Sequence, residues 1–585
     1  MSAARAAARN KPTLILRSGL SGTVPDAIFD AAVRRAGMLR VFSTDDLFSA
    51  VESLSRIRPL DGRGLLVISN GRGPGLMACD AWMRNGGKPT ALSTDSVGKL
   101  SQLLPVEKME FPPIALPANA SAQLYGQVME AVSVDHGADA LLVIHASSAL
   151  EPCADIANAV VAAAKRSGCN ILSVWLGGKS LEPARRICAD AGIPAYISPE
   201  SAVCGLMQML DFKCNQNLLM QVPPAVSADI VDREAAHRIV EAALRDGSQR
   251  VSLTKSCALL AAYGIKAGDQ PQERDLSLDT IALTISLAID PVFGPAVILK
   301  LSGKNGRTET SAGLPPLNMV LAQDMVAHGG LAGLNEGIHE SDSSVDQICR
   351  VLLKVSHLLT DVPELAELEI GFPQPGVKEM CAVRVHVLLK PNKPNETGDG
   401  LQRLAICPYP NELEETISWQ GAPLLLRPIR PEDGEAHVAF FNALDPEDVR
   451  YRMFVGIRAL QPSQLARFTQ IDYDREMAFI ATRLNGDGVA ETLGVARVVA
   501  DPDNIQAEFS VIVRSDLKGL GLGQVLMTKL ITYCRRHGTQ EIIGEALPHN
   551  VRILHLVRKL GFDVKPLERN GTMWLHLDLR PGLRR

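Results

Sequence analysis

The stretch AEFSVIVRSDLKGLGLGQVLMTKLITYC, residues 507–534, decides how the C-terminal part of this chain is read. Residues 508–513 alternate and are rich in β-branched side chains, which predicts a strand. KGLGLG, residues 518–523, follows and opens a helix. On that helix Leu522, Val525, Leu526 and Leu530 recur at i, i+3, i+4 and i+8, the pattern of one buried side. A glycine loop at a helix N-terminus offers unpaired backbone N–H groups and the positive end of the helix dipole. That combination suits a pyrophosphate. Glycine lets the backbone approach phosphate oxygens closely, and Lys518 adds a cation. From these six residues alone, a plain helix-capping turn reads the same way.

Outward from this motif the pattern stays α/β. PLLLRPIR (423–430) predicts a strand, and PEDGEAHVAFFNAL (431–444) a helix with Pro431 in its first turn and acids behind it. Strands follow at MAFIATRL, LGVARVVAD and AEFSVIVRS. After the glycine loop and its helix come strand EIIGEAL, helix NVRILHLVRKL and closing strands near FDVK and TMWLHLDL.

The loop resembles the central motif of the GNAT acetyltransferases, Gln/Arg-x-x-Gly-x-Gly/Ala after a strand. Lys518 stands where that family usually has Gln or Arg, and Gly521 and Gly523 fit. HNVRILHLVRKLGF resembles the next motif of the family, with Asn550 and the pair Gly561 and Phe562 matching. The strings LRPIRPED, RYRMF and FTQIDYDREMAFIA resemble the acetyltransferase domain of the bacterial protein lysine acetyltransferases of the Pat type. Those proteins fuse this domain to a region like an NDP-forming acyl-CoA synthetase.

The resemblance implies acetyl-CoA, or a short acyl-CoA, as donor and a protein lysine as acceptor, with AMP-forming acyl-CoA synthetases as candidate partners. The expected CoA contacts are Val511, Val513, Lys518, Gly519, Leu520, Gly521, Leu522, Gly523, Gln524 and Asn550. Two other readings stand beside it: a GNAT enzyme for small-molecule amines, and a non-catalytic acyl-CoA sensor or scaffold. The ligase-like partner region favours the first reading. Glu508 and the intact loop argue against the last.

Acyl transfer to an amine needs a base, because a free lysine, with a pKa near ~10.4, is almost wholly protonated at neutral pH. Glu508 is the candidate. It lies on the strand leading into the loop and matches the catalytic glutamate of the Pat type; the alternative is a surface strand glutamate. A backbone N–H at a bulge between residues 511 and 514 is the expected oxyanion donor. Many GNAT enzymes carry a Tyr seven residues after the motif Asn, as general acid; here that position is Val557. His555 faces elsewhere on the helix and reads as packed or exposed. Arg450 and Arg452 bracket Tyr451. Asp472, Asp474 and Glu476 form an acidic cluster suited to a basic acceptor at the site mouth, or a solvated loop.

Before residue 396 short apolar runs alternate with amphipathic helices. GLLVISN precedes GRGPG, ADALLVIHA precedes DIANAVVAAAKRSG, and NILSVWLGG precedes EPARRICADAG. These read as βαβ units with a parallel sheet. The expected fold is a multidomain α/β chain. A flexible tail (1–11) precedes two flavodoxin-like doubly wound subdomains (12–135 and 136–225). A truncated ATP-grasp-like α+β unit (226–395), a linker (396–422) around PNKPNETGDG, and a C-terminal GNAT domain (423–580) follow.

Residues 1–395 resemble NDP-forming acyl-CoA synthetases in DAIFDAAVRRAGMLRV, VISNGRGPGLMACDA and DPVFGPAVILKLSG. Features the family needs are missing. The CoA-binding Rossmann domain that the family places before these subdomains is expected to be absent. ILRSGLSGTVPDAIF lacks the phosphorylated His, and the first His of the chain is His136. AAYGIKAG runs almost directly into the DPVFGP segment. Where the family has an acid-x-Asn metal motif, Glu369 is followed by Ile370 and Gly371, and Gly offers no side-chain oxygen to Mg²⁺. The expectation is a pseudo-ligase with regulatory, oligomerising (homo-oligomer) or substrate-docking work, without ATP binding. GRGPG is a residual anion pocket or a structural strand–helix turn.

Bulk composition sets the frame. Net charge is −5 and charged residues make up 21% of the chain, with no long basic run, so neither nucleic acid nor an anionic membrane surface is indicated. Eleven cysteines form no CxxC pair, the nearest two being Cys204 and Cys214, so no metal site is expected and a reducing cytoplasm is. The apolar stretch near residues 284–301 holds Asp290, Pro291, Gly294 and Pro295, which breaks any membrane-spanning helix. The N-terminus is basic, with no apolar signal region behind it.

Overall fold

A computed structural model describes the chain except residues 19–21, 59, 61, 106–112, 134–137, 148–151, 224–231, 247–248, 273–282, 303–307, 330–341, 374–379, 392–403, 455, 457–458, 486–487, 568–570 and 581–585. His136 and most of the linker string at 391–400 therefore lie outside the described residues. The chain forms two compact units: Lys11–Ser21 with Val33–Asn217, and Met1–Asn10 with Gly22–Ala32 and Leu218–Arg585.

In the first unit, strands Lys88–Pro89, Gly64–Ser69, Ala140–Ala146, Asn170–Leu176 and Ala195–Tyr196 form one parallel sheet in that order, and Ile114–Ala115 joins Gly64–Ser69. This corrects the expected division near residue 135. Leu65 to Ser69 pair in register with Ala140 to Ile144, so strands from both sides of that boundary share a sheet. The reason is in the strands themselves. Leu66, Ile68, Leu141 and Val143 feed one core, and Leu65, Val67, Leu142 and Ile144 feed another. Runs apolar on both faces need helices on both faces, and a central place beside each other supplies them.

In the second unit, six strands follow the order Thr308–Gly313, Gly294–Ser302, Leu283–Asp290, Leu365–Phe372, Ala382–Leu389, Ala267–Gln272. All neighbours are antiparallel except the last pair. Helix Asp342–Asp361 contributes Ile348, Leu352, Val355 and Leu359 to the core beneath them. The DPVFGP segment is the turn of a hairpin. Asp290 Oδ1 accepts from the N–H groups of Val292 and Phe293 at 2.8 and 2.9 Å, and Gly294 closes it at φ +68°.

The C-terminal domain has eight strands and five helices among the described residues. The strands are β1 (Glu415–Trp419), β2 (Ala422–Pro428), β3 (Glu476–Leu484), β4 (Ala490–Ala500), β5 (Gln506–Val513), β6 (Glu541–Ala546), β7 (Asp563–Leu567) and β8 (Thr572–Asp578). The helices are α1 (Gly434–Asn442), α2 (Pro446–Met453), α3 (Pro462–Thr469), α4 (Leu522–Arg536) and α5 (Val551–Lys559). The sheet order is β1-β2-β3-β4-β5-β6-β8-β7, antiparallel except for the parallel pair β5–β6. Leu522, Leu526 and Leu530 of α4 are buried in its core, the side that the helical spacing marked.

Two expected boundaries move. The linker ends near residue 404: Ile406, Tyr409 and Trp419 are buried, and β1 pairs with β2 through the turn Gln420–Gly421, both at positive φ. The first residues are not a loose tail. Ser2–Asn10 is a helix against α3, with Arg5 only 3% exposed and its Nη1 3.9 Å from Asp472 Oδ1. A run of alanines favours a helix, and the buried Asp472 gives its arginine a counter-charge that composition does not reveal.

Candidate active site

β5 and β6 begin side by side and then part. Gln506, Ala507 and Glu508 pair with Glu541, Ile542 and Ile543, and the ladder stops there. β5 runs on to Val513 and β6 to Ala546, so a gap opens beyond Glu508. Phe509 wedges it. Its ring lies 5.1 Å from that of Phe562 and over Gly544, where a Cβ would come within 2.6 Å of it.

The other edge of β5 stays fully paired. Residues 507–513 match Ala500 to Gly494 of β4 without a break in register. The expected bulge between 511 and 514 is therefore absent; the irregularity of the sheet lies at Ala481 and Thr482 instead. The open edge supplies donors anyway. Arg514 N donates to Leu493 O, on the β4 side, at 2.9 Å. Backbone groups alternate sides along an antiparallel strand, so those of Val513, Val511 and Phe509 point to the gap. Val511 and Val513 reach it with their backbones, while their side chains join the core.

The gap leads to the glycine loop. Gly519 and Gly521 adopt φ +80° and +85°, and Gly521 is the N-cap of α4 with no side chain capping it. A Cβ at either would meet nothing within 4 Å, so backbone conformation, not crowding, calls for glycine here. Gly523 sits 3.4 Å from Leu556 by the same measure, a packing role. Leu522 is buried and offers the loop only its N–H.

Other expected contacts have partners of their own. The Lys518 ammonium is ion-paired to Asp448 of α2, whose carboxylate also accepts from Ser515 Oγ. Lys518 thus anchors the loop's first residue to α2. Asn550 caps α5, its Oδ1 accepting from Ile553 N at 3.3 Å. Gln524 Oε1 accepts from Lys559 Nζ at 2.9 Å. Leu520 is exposed, and its carbonyl takes hydrogen bonds from Trp419 Nε1 (3.2 Å) and Gln420 Nε2 (3.3 Å). Trp419 and Gln420 were not among the expected site residues. A Gln–Gly pair between two apolar runs carries a hairpin signal, but not what the hairpin touches. A cleft of about 1310 Å³ borders this side of the loop, lined by Trp419, Leu520, Gly521, Gln524, Val525 and Lys529. Glu508 is not among its walls.

Glu508 itself is exposed. It stands opposite Val499 of β4, which stands opposite Glu476 of β3, so both acids lie in one row across the sheet. The acidic cluster does not gather at Glu508. Glu476 is ion-paired to Arg497, Asp472 faces Arg5, and Asp474 lines the large cleft. Val557 is fully buried and His555 is exposed. Arg452, at the end of α2, shares Glu508's side of the sheet, with Arg497 and Phe468 beside it. In the ligase-like sheet the Glu369 carboxylate is ion-paired to Arg384.

With this geometry in place, comparisons with known proteins agree on the parts. Residues 423–563 match the acetyltransferase (GNAT) domain model, and residues 270–375 match an ATP-grasp domain model. An acetyltransferase of Pseudomonas aeruginosa is 34% identical over 156 residues, covering 27% of this chain and 83% of the relative. The ADP-forming acetate–CoA ligase I of Archaeoglobus fulgidus is 23% identical over 459 residues, covering 63% of this chain. The chain spans 65% of that ligase's length, and 38% of the ADP-forming 4-hydroxybutyrate–CoA ligase of Nitrosopumilus maritimus. Among solved structures, the GNAT domain of S. lividans PAT is matched at 24% identity with a TM-score of 0.27, covering 29% of this chain and 99% of that one. No helix among the described residues is long and apolar enough to cross a membrane.

Proposed function

The chain belongs, through its C-terminal domain, to the GNAT acetyltransferase family, and from that premise we propose that it transfers an acetyl group from acetyl-CoA to a lysine side chain of another protein. The observation that carries the reading is the end of the β5–β6 ladder at Glu508. The pantetheine arm enters the gap beyond it, against the Phe509 carbonyl and the free backbone groups of Val511 and Val513. The pyrophosphate lies on the N–H groups of residues 519–523 at the head of α4. The thioester then stops beside Glu508.

The steps balance without another reactant. Glu508 takes a proton from the acceptor ammonium as the neutral amine attacks the thioester carbonyl. The oxyanion is held by a backbone N–H on the open edge of β5. On collapse the C–S bond breaks, CoA leaves as thiolate, and the nitrogen gives up its second proton to water, as Glu508 then does with the first. Val557 offers no proton where relatives have Tyr, and a thiolate leaves readily without one. The protein acceptor is supported by the fusion of this domain to a ligase-like region.

For residues 1–395 we propose regulatory or docking work rather than ligase chemistry. The ion pair that engages Glu369 and the lack of a side-chain ligand at Gly371 support this. ATP formed from acetyl-CoA, ADP and phosphate would overturn it. The acetyl-transfer reading is tested with labelled acetyl-CoA and a purified AMP-forming acetyl-CoA synthetase. Wild type places label on a synthetase lysine and Glu508→Gln does not. Acetyl-CoA binding without transfer to any protein lysine rejects the lysine acceptor.

A further inference from the structure

Glu508, Ser510 and Ile512 share one face of β5, and the last two line a pocket of about 40 Å³. Phe440, Phe441 and Phe468 supply apolar walls, and Arg452, Arg497 and His437 the polar ones. Arg497 is engaged, by Glu476 and by the Arg467 carbonyl at 2.8 Å. Arg452 is not. Among the described residues no carboxylate lies within ion-pair distance of it, and its guanidinium makes no hydrogen bond. Glu508 supplies the negative potential it feels, while burial, then Arg497 and Arg467, act against its charge. His437 is 8% exposed, and its ring Nδ1 has no partner.

Arg452 is half-buried, its guanidinium 6.0 Å from the centre of the Phe468 ring and open to a further partner, while the buried His437 ring nitrogen costs free energy unless something meets it. One water needs only ~10–15 Å³ of such space, so the pocket has room for a larger guest. A guanidinium fork matches a carboxylate in two parallel hydrogen bonds, and His437, in its Nδ1–H tautomer, donates a third. Ser510 lies two residues, or about 7 Å, along the strand from Glu508. A group held there is within a side chain's reach of the reacting carbon.

We infer that this pocket takes a carboxylate carried by one of the two reactants and paired with Arg452. The inference rests on the acetyl-transfer reading above and names its specificity. The carboxylate comes either from an acidic residue near the target lysine or from a dicarboxylic acyl-CoA donor.

The experiment uses the full chain in two arms. The first compares lysine peptides with Glu or Gln beside the target, with acetyl-CoA as donor. The second compares succinyl-CoA with butyryl-CoA on one neutral peptide. The readout is the ratio of kcat/KM for the acidic over the neutral reactant. In one arm wild type favours the acid, and Arg452→Gln lowers the ratio about tenfold or more. Ser510→Asp, which plants a carboxylate in the pocket with Arg452 intact, lowers it as well and guards against misfolding of the first variant. A ratio that neither variant changes, in both arms, overturns the inference. If wild type acetylates free amines but no lysine peptide, the lysine reading fails. The same ratio, measured on amines with and without a carboxylate, then judges the pocket alone. Transfer to no amine at all overturns both readings.

Discussion

Glu508 and Ile543 are the last residues to pair between β5 and β6, so the candidate base stands at the vertex of the opening. A base placed there meets the thioester only if the donor enters from the glycine loop. Glu508→Gln keeps the shape and the exposure but removes the proton acceptor. We expect kcat to fall ~10²-fold or more, with acetyl-CoA affinity by calorimetry within a few-fold of wild type. Equal losses in both would move Glu508 from catalysis to binding.

The glycine loop gives a second test. Gly519→Ala and Gly521→Ala place a Cβ in open space but at φ near +80°. Left-handed backbone costs an L-residue roughly 1–2 kcal/mol. Relaxing that strain turns the N–H groups away from the phosphates. Acetyl-CoA affinity falls about tenfold for each variant, while the melting temperature moves by a few degrees at most.

Trp419 holds the loop from outside the motif. Trp419→Phe keeps the ring in the core and deletes one of two donors to the Leu520 carbonyl. A neutral hydrogen bond contributes about 0.5–1.5 kcal/mol. The KM for acetyl-CoA rises between about twofold and tenfold, and kcat changes less. Steady-state kinetics at varied acetyl-CoA separates the two.

Arg5 and Asp472 face each other in the core. Asp472→Asn leaves Arg5 buried without its counter-charge, a loss on the order of 3 kcal/mol. Arg5→Met with Asp472→Asn replaces the pair by uncharged groups and is far milder. Urea denaturation of the two variants reads the difference; equal losses would show that the pair contributes by packing alone.

His437 carries a pH dependence. Burial pushes its pKa from 6.5 down to about 4. Above pH 6.5 both folded and unfolded forms are neutral there and nothing is lost. As pH falls from 6.5 towards 4, the unfolded chain binds a proton that the folded one refuses, so stability declines by about 3 kcal/mol over that window. His437→Leu removes this part of the slope. Denaturation midpoints at pH 7 and pH 5 for both proteins measure it.

The sequence by itself determined the local pieces. The strand–glycine loop–helix at 507–534 is written in periodicity and in two glycines at positive φ, and these are short-range properties. The buried face of α4 follows from the same stretch, and Glu508 is a candidate base read there; the order of strands in the sheet is not written in it. Only the tertiary structure decided what depends on partners far along the chain. Pairing of Leu65 to Ser69 with Ala140 to Ile144 merges two expected subdomains into one sheet. Asp448 takes Lys518, and Asn550 is drawn into a helix cap. Trp419 reaches Leu520 across a hundred residues, and Arg452 is brought to Glu508's side of the sheet, over the Phe468 ring. Such contacts arise from the register of strands and the packing of helices. No window of sequence records them, because each residue's period and propensity are the same whether or not its partner arrives.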